Sequence, residues 1–219
     1  MSPIGHDGSS GKKSPSRARY VDGAIRLFVE GGYSGTSVDD IAKSLGVTKG
    51  ALYFHFKDKA ALLEECLIEV DKQILHPLIS RMDELENYGS RLDTFIYWWA
   101  SIASVSPYRL MLPILMSVEF SNTDTEAARY LESRYNQIYA LILEKILPPP
   151  AAEDEKALND AKAMALVAIT DGMLLEWHRR GHTKDGALTA KTVRNILRVG
   201  LGMSREASPS YNSNVELGK

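Results

Sequence analysis

One cysteine, Cys66, stands alone in 219 residues. An internal disulfide is therefore impossible, which excludes a small disulfide-stapled scaffold and points to a reducing compartment. No apolar run approaches the roughly 20 residues that a membrane-spanning helix requires. The N-terminus lacks the hydrophobic core of a signal peptide. Together these set the expectation of a cytoplasmic protein with no membrane partner. Sustained period-two alternation is missing, so no sheet is expected, and no segment recurs at a fixed period. The G-x-S-x-G, P-loop, H-E-x-x-H and three-glycine dinucleotide signatures are all missing. Gly200-Leu-Gly202 has neither the third glycine nor a preceding strand. The expectation is a non-enzyme with no cofactor. His178 and His182 have metal-binding spacing, yet no third ligand lies nearby, so no metal is expected either.

Strong charge of one sign is also lacking, but the net charge of −2 is uneven. Residues 1–57 carry eight Lys/Arg against five Asp/Glu, and the remainder carries 18 against 23. A basic head on an acidic body suits a protein that meets an anion at one end only.

What the chain does contain is helical periodicity throughout. Tyr20, Val21, Ala24, Leu27 and Phe28 recur at three- and four-residue steps, an amphipathic helix that Gly31-Gly32 should stop. Thr36 is placed to cap a second helix, with Asp39 completing a capping box. Val38, Ile41, Ala42 and Leu45 fall on one face of it, and Gly46 supplies the left-handed turn that ends it. Thr48 can cap a third helix in which Ala51, Leu52 and Phe56 face inward. Lys49, Tyr53 and His55 are left outside, followed by Lys57 and Lys59. Two short helices across a tight turn make a helix-turn-helix, whose second helix enters the DNA major groove.

From Asp58 a long helix follows, which Pro77 should kink or end near His76. The segments Arg91 to Val105, Tyr108 to Phe120, Thr125 to Leu147, Glu153 to Arg180 and Ala187 to Met203 read as further helices. The expected fold is all-α, with about nine helices. Its parts are a disordered basic leader over 1–15, a DNA-binding head over 16–57, a body over 58–204 and a disordered tail over 205–219. Lys12 and Lys13 of the leader could serve as an arm on the phosphate backbone.

The head resembles the DNA-binding domain of the tetracycline-repressor (TetR) family of bacterial transcription regulators. The residues that carry the resemblance include Leu27-Phe28, Gly32-Tyr33, Thr36-Ser37, Ile41-Ala42, Leu45-Gly46-Val47, Lys49-Gly50, Leu52-Tyr53, His55-Phe56 and Lys59. It implies phosphate contacts for Thr36 and Lys59 and backbone contacts for Tyr53 and His55. Lys49, Gly50 and Ala51 would approach base edges, with Lys49 the main candidate for direct readout. Ser37 and Thr48 complete the expected DNA face. The resemblance further implies a homodimer on a palindromic double-stranded operator, and a small-molecule effector bound in the body. The function so implied is a repressor released from DNA by an apolar or amphipathic effector; a DNA-binding architectural or cell-division factor without an effector is the alternative.

The body can be asked whether it permits both. Ala161, Ala165, Ala168 and Gly172 share a helical face whose small side chains allow close helix approach. Val193, Ile196, Leu197 and Gly200 offer a matching face, and packing within one subunit is the competing explanation. Aromatic and methionine side chains suggest an apolar chamber: Trp98, Trp99, Tyr108, Met111, Met116, Phe120, Met164 and Trp177. Simple core filling would explain any one of them. Glu119 and Asp171 interrupt apolar runs, so each should be paired, wet or turned to a ligand.

Overall fold

The computed structural model describes residues 15–181 and 186–203. Residues 1–14 of the leader, the tail and His182 lie outside the described residues, so the expectations placed on them stand as expectations.

Among the described residues the chain is helical and contains no strand. The helices are α1 (Pro15–Gly35), α2 (Val38–Leu45), α3 (Lys49–His55), α4 (Lys59–Gln73), α5 (Leu75–Asp83), α6 (Tyr88–Val105), α7 (Pro107–Glu119), α8 (Glu126–Leu141), α9 (Glu153–Arg179) and α10 (Gly186–Gly200). A wider π-type turn, Ile142–Ile146, continues α8. α4 and α5 are the expected long helix, broken at Ile74 (φ −119°). The break falls three residues before Pro77, whose ring leaves no room for the carbonyl four residues back.

The head is α1 to α3 closed onto α4. Phe28, Ile41, Leu52 and Phe56 are buried together with Leu62 and Leu63 of α4. Gly23 admits the Leu45 side chain so closely that a Cβ there would lie 2.5 Å from Leu45 Cδ2. Cys66 is buried with its Sγ 3.6 Å from the Val21 carbonyl, an environment for an inert thiol. α1 bends at Gly32 (φ 71°) and adds a last turn to Gly35.

One local expectation shifts by a residue. Ser37, not Thr36, caps α2: its Oγ accepts from the Asp40 amide at 3.1 Å, and an Asp40 oxygen accepts from the Ser37 amide at 3.0 Å. The Ser37 hydroxyl and amide thereby hold the Asp40 carboxyl below the ordinary aspartate range. Thr36 is only 4% exposed and turns back into α1, its hydroxyl donating to the Gly32 carbonyl at 2.7 Å. Ser is the somewhat better cap, and the burial of Thr36 under α1 acts in the same direction.

In the body, α6 lies along α10, and α7 lies between α1 and α9. Two buried ion clusters tie distant elements. Asp93 of α6 accepts from Arg194 at 2.7 Å and from Arg198 at 2.9 Å, both on one face of α10. Asp71 of α4 accepts from Arg134 of α8 at 2.7 Å and from the Tyr130 hydroxyl at 2.8 Å. No single described helix is long and apolar enough to cross a membrane.

Candidate functional site

α3 is seven residues long and anchored by the buried Leu52, with Phe56 buried just after it. Those two are four apart and so share one, inward face of the helix. Lys49, Gly50 and Tyr53 are all exposed. Thr48 caps it, its Oγ accepting from the Ala51 amide at 3.2 Å. Ala51 is half-buried and Ser37 exposed beside this face. The Tyr53 side chain, 45% exposed, has no hydrogen-bond partner among the described residues. The His55 ring is half-buried, edge-on to Tyr20 at 5.4 Å between centroids, while its carbonyl accepts from Arg17 at 3.1 Å.

Phe54 was not among the sequence-derived residues, yet it is 85% exposed on the same helix. An exposed single apolar residue is ordinary, but a phenyl ring on a face otherwise polar is a contact surface in waiting. Sequence periodicity held the signal. Two residues from both Leu52 and Phe56, Phe54 is rotated by about 200° from each, opposite the core.

Lys49 does not stand free. Its ammonium contacts Asp39 of α2 at 2.7 Å, with both side chains well exposed, and the Asp39 acceptor raises its pKa. The cation expected to face bases is thus held by a carboxylate of the preceding helix.

Thr36 and Lys59 have a different placement from the one the resemblance implied. Lys59 Nζ donates to the Tyr33 carbonyl at 2.8 Å and the Thr36 carbonyl at 3.0 Å, and sits 4.0 Å over the Tyr33 ring. Neither side chain is turned outward to phosphates. Both stabilise the turn between α1 and α2.

That turn is also where the body grips the head. The Tyr33 and Ser34 amides each donate to the Glu119 carboxylate at 2.8 Å. Burial acts upward on the Glu119 pKa, but the Ser34 and Tyr33 donors and the Lys59 charge outweigh it and leave it below the ordinary glutamate range. Tyr33 packs against Phe120 at 5.1 Å. Farther along α7, Arg109 pairs with Asp22 of α1 at 2.6 Å, and the Tyr108 hydroxyl donates to Glu30 at 3.1 Å. Glu119, Phe120 and Tyr108, expected around a ligand, are therefore joints between head and body. Glu119 is thus paired, and its partners are backbone amides.

The remaining expected ligand residues scatter. Trp99 and Asp171 line one small cavity of about 20 Å³ enclosed by α6, α7, α8 and α9. Met111 and Met116 are core residues of α7. The Trp98 indole donates to the Ile74 carbonyl at 3.0 Å, bracing the α4–α5 break. Trp177 borders an open groove of about 510 Å³ between α9 and α10. Met164 is 64% exposed on α9.

The expected dimer face is better grouped. Ala161, Ala165, Ala168 and Gly172 are exposed on α9, as are Ile196 and Gly200 on α10. Packing within the subunit does not account for them. Val193 is half-buried, and Leu197 belongs to the subunit core. No group of three or more His, Cys, Asp or Glu suited to a metal occurs among the described residues.

Against this geometry stand the similarities to known proteins. The family model described as bacterial regulatory proteins, tetR family, matches residues 21–66. The regulator AcrR of Shigella flexneri is 52% identical over 50 residues, 23% of this chain and 23% of that protein. IcaR, the negative transcriptional regulator of the biofilm operon icaADBC in Staphylococcus aureus strain Newman, is 49% identical over 47 residues, 22% of this chain and 25% of that one. The matches thus span about a quarter of the length of these curated relatives. The crystal structure of the MbdR regulator from Azoarcus sp. CIB extends the likeness over head and body, with 30% identity, a TM-score of 0.71, and coverage of 83% of this chain and 96% of that one.

Proposed function

Since the chain belongs to the TetR family of bacterial regulatory proteins, we propose that it is a homodimeric, DNA-binding transcriptional repressor released from its operator by a small apolar or amphipathic effector. The observation that carries the reading is the outer face of α3, where Lys49, Tyr53 and Phe54 project from a helix fixed by Leu52. Lys49 supplies donors for guanine, Phe54 an apolar surface for a thymine methyl, and Tyr53, Ser37 and Thr48 hydroxyls for phosphates. His55, Gly50 and Ala51 bring the helix close to the groove. IcaR is a negative regulator, and this supports repression over activation.

Two copies join through the exposed small-residue face of α9 and the facing side of α10. A two-fold pair of heads then matches two half-sites in adjacent major grooves. Release works as a population shift: an effector favours a body conformation that spaces the heads wrongly. Besides the helix from Lys59, α7 is the transmission element, because it walls the body cavity and holds the head through Arg109 and Glu119.

The test is selection of DNA from a random duplex library, followed by anisotropy titration of the enriched sequence. A palindromic site bound by two chains is expected. Binding without sequence preference would overturn the readout assignment. Ala168→Arg places a charge on the dimer face at an exposed position; it should yield a folded monomer in sedimentation and abolish tight operator binding.

A further inference from the structure

The small cavity between α6, α7, α8 and α9 is apolar on most sides, with Phe95, Leu110, Ile138 and Val167 in its wall. Two of the lining residues, Trp99 and Arg134, carry nitrogen donors. Trp99 is 5% exposed, and its indole N–H is buried with no hydrogen-bond partner among the described residues. Arg134 is equally buried; its Nε donates to Asp71 at 2.7 Å, and this is the guanidinium's one hydrogen bond among the described residues. A buried donor left unmatched is unfavourable, and the indole N–H beside this cavity needs an explanation.

The charges define what can satisfy them. Asp71 already balances Arg134, and its second oxygen is taken by the Tyr130 hydroxyl. The only other ionisable wall residue is Asp171, a carboxyl that accepts from the Tyr135 hydroxyl at 2.9 Å and whose pKa burial pushes up. The cavity therefore offers hydrogen-bond donors without spare positive charge. A buried anion would have no counter-charge there, whereas a neutral acceptor would be matched.

We infer that the effector is a compact apolar molecule carrying one neutral oxygen acceptor, such as a ketone, ester or amide carbonyl, which receives the Trp99 indole N–H and the terminal nitrogens of Arg134. This rests on reading the body as an effector-binding domain. At about 20 Å³ the cavity has room for about one water. Ligand entry must part the surrounding helices, and α7 is among them. The same movement would strain the contacts of Arg109 and Glu119 with the head.

The test is calorimetric titration of DNA-free full-length protein with three probes of one shape: acetophenone, benzoate and ethylbenzene. Acetophenone is expected to bind at least about tenfold more tightly than either. Trp99→Phe keeps a ring and removes the N–H; it should lower acetophenone affinity by about tenfold and erase its advantage over ethylbenzene. Arg134→Lys keeps a charge opposite Asp71 but loses the forked terminus, and should also lower acetophenone affinity. Benzoate or ethylbenzene binding as tightly as acetophenone would overturn the inference. So would failure of all three to bind, since the cavity would then hold water alone. Operator affinity in the presence of each probe forms a separate arm. Selective acetophenone binding without loss of DNA affinity defeats effector release and leaves the ligand class standing. Release by all three probes alike defeats the ligand class and leaves effector release standing.

Discussion

Head and body handle charge in opposite ways. On the head, Lys43, Lys49 and Asp39 are exposed, and the pair at α3 is solvated on both sides. In the body, Asp71, Asp93, Arg134, Arg194 and Arg198 are all buried and bonded to one another. A solvated ion pair contributes little to stability, whereas a buried pair that loses one member leaves an uncompensated charge. The pair at α3 is thus open to an outside partner, whereas these five buried groups tie the body internally. Between them, Glu119 and Lys59 form a junction at the rim that belongs to neither class.

The hardest blow to this contrast should come at Asp93. Asp93→Ala strands two buried guanidiniums and is expected to cost about 3–5 kcal/mol, read as a fall in the urea midpoint. Because α10 also carries part of the proposed dimer face, the same variant should dissociate in sedimentation. A loss under about 1 kcal/mol would mean that the body's ions are not structural ties.

Next in size come the outer residues of α3. Lys49→Ala should relax preference at one base position per half-site, by about 1–3 kcal/mol, when the selection is repeated with the variant. Phe54→Ala should weaken operator binding while leaving the urea midpoint within about 0.5 kcal/mol, since so exposed a ring has little of the fold to support. If Phe54→Ala instead lowered the midpoint and spared DNA binding, the outer side of α3 would serve the fold rather than DNA.

The same contrast explains what the sequence disclosed. The helix-turn-helix was legible because its signals are local: Gly46 ends one helix, Thr48 caps the next, and Leu52 and Phe56 fix which side faces out. The fold class and the helix ends near Pro77, Thr125 and Arg180 followed from periodicity and proline in the same way. The exposed Ala161–Gly172 stripe was legible too, since small residues at helical steps mark one face. Distant pairings were not. Asp71 meets Arg134 across 63 positions and Asp93 meets Arg194 across 101, and no local pattern announces such partners. Glu119 was visible as an anomaly in an apolar run, but its partners are backbone amides 85 and 86 positions away, which carry no side-chain signature. Thr36 and Lys59 misled for a related reason: polar residues beside a DNA face can equally satisfy the carbonyls of the turn they flank.

Glu119→Gln addresses the junction and should have a smaller effect, about 1 kcal/mol on the head–body contact. The folded-state pKa of Glu119 lies below its ordinary value. Its contribution is therefore present above the unfolded value of about 4.3 and is lost as pH falls through the lowered folded value. Hydrogen-exchange protection of the Tyr33 and Ser34 amides should fall over that acid window in the native chain. In the glutamine variant, protection should be weaker at neutral pH and flat across the window. Equal pH profiles in both would show that another carboxylate governs the joint.

Asp39→Asn should have the smallest effect and divides the head's own charges most finely. In the free protein Asp39 holds Lys49 at 2.7 Å, so reaching a base edge means giving up that contact. Removing the carboxylate takes away the competitor and also one negative charge near the phosphates. The second consequence applies to any DNA, and the first only where Lys49 touches bases. Affinity for non-specific duplex should rise roughly twofold, and affinity for the selected operator by somewhat more, about fivefold. Anisotropy titrations on both duplexes at one salt concentration measure the ratio. An equal rise on the two would assign Asp39 to long-range repulsion alone, and Lys49 would then be a phosphate contact rather than a reader of bases.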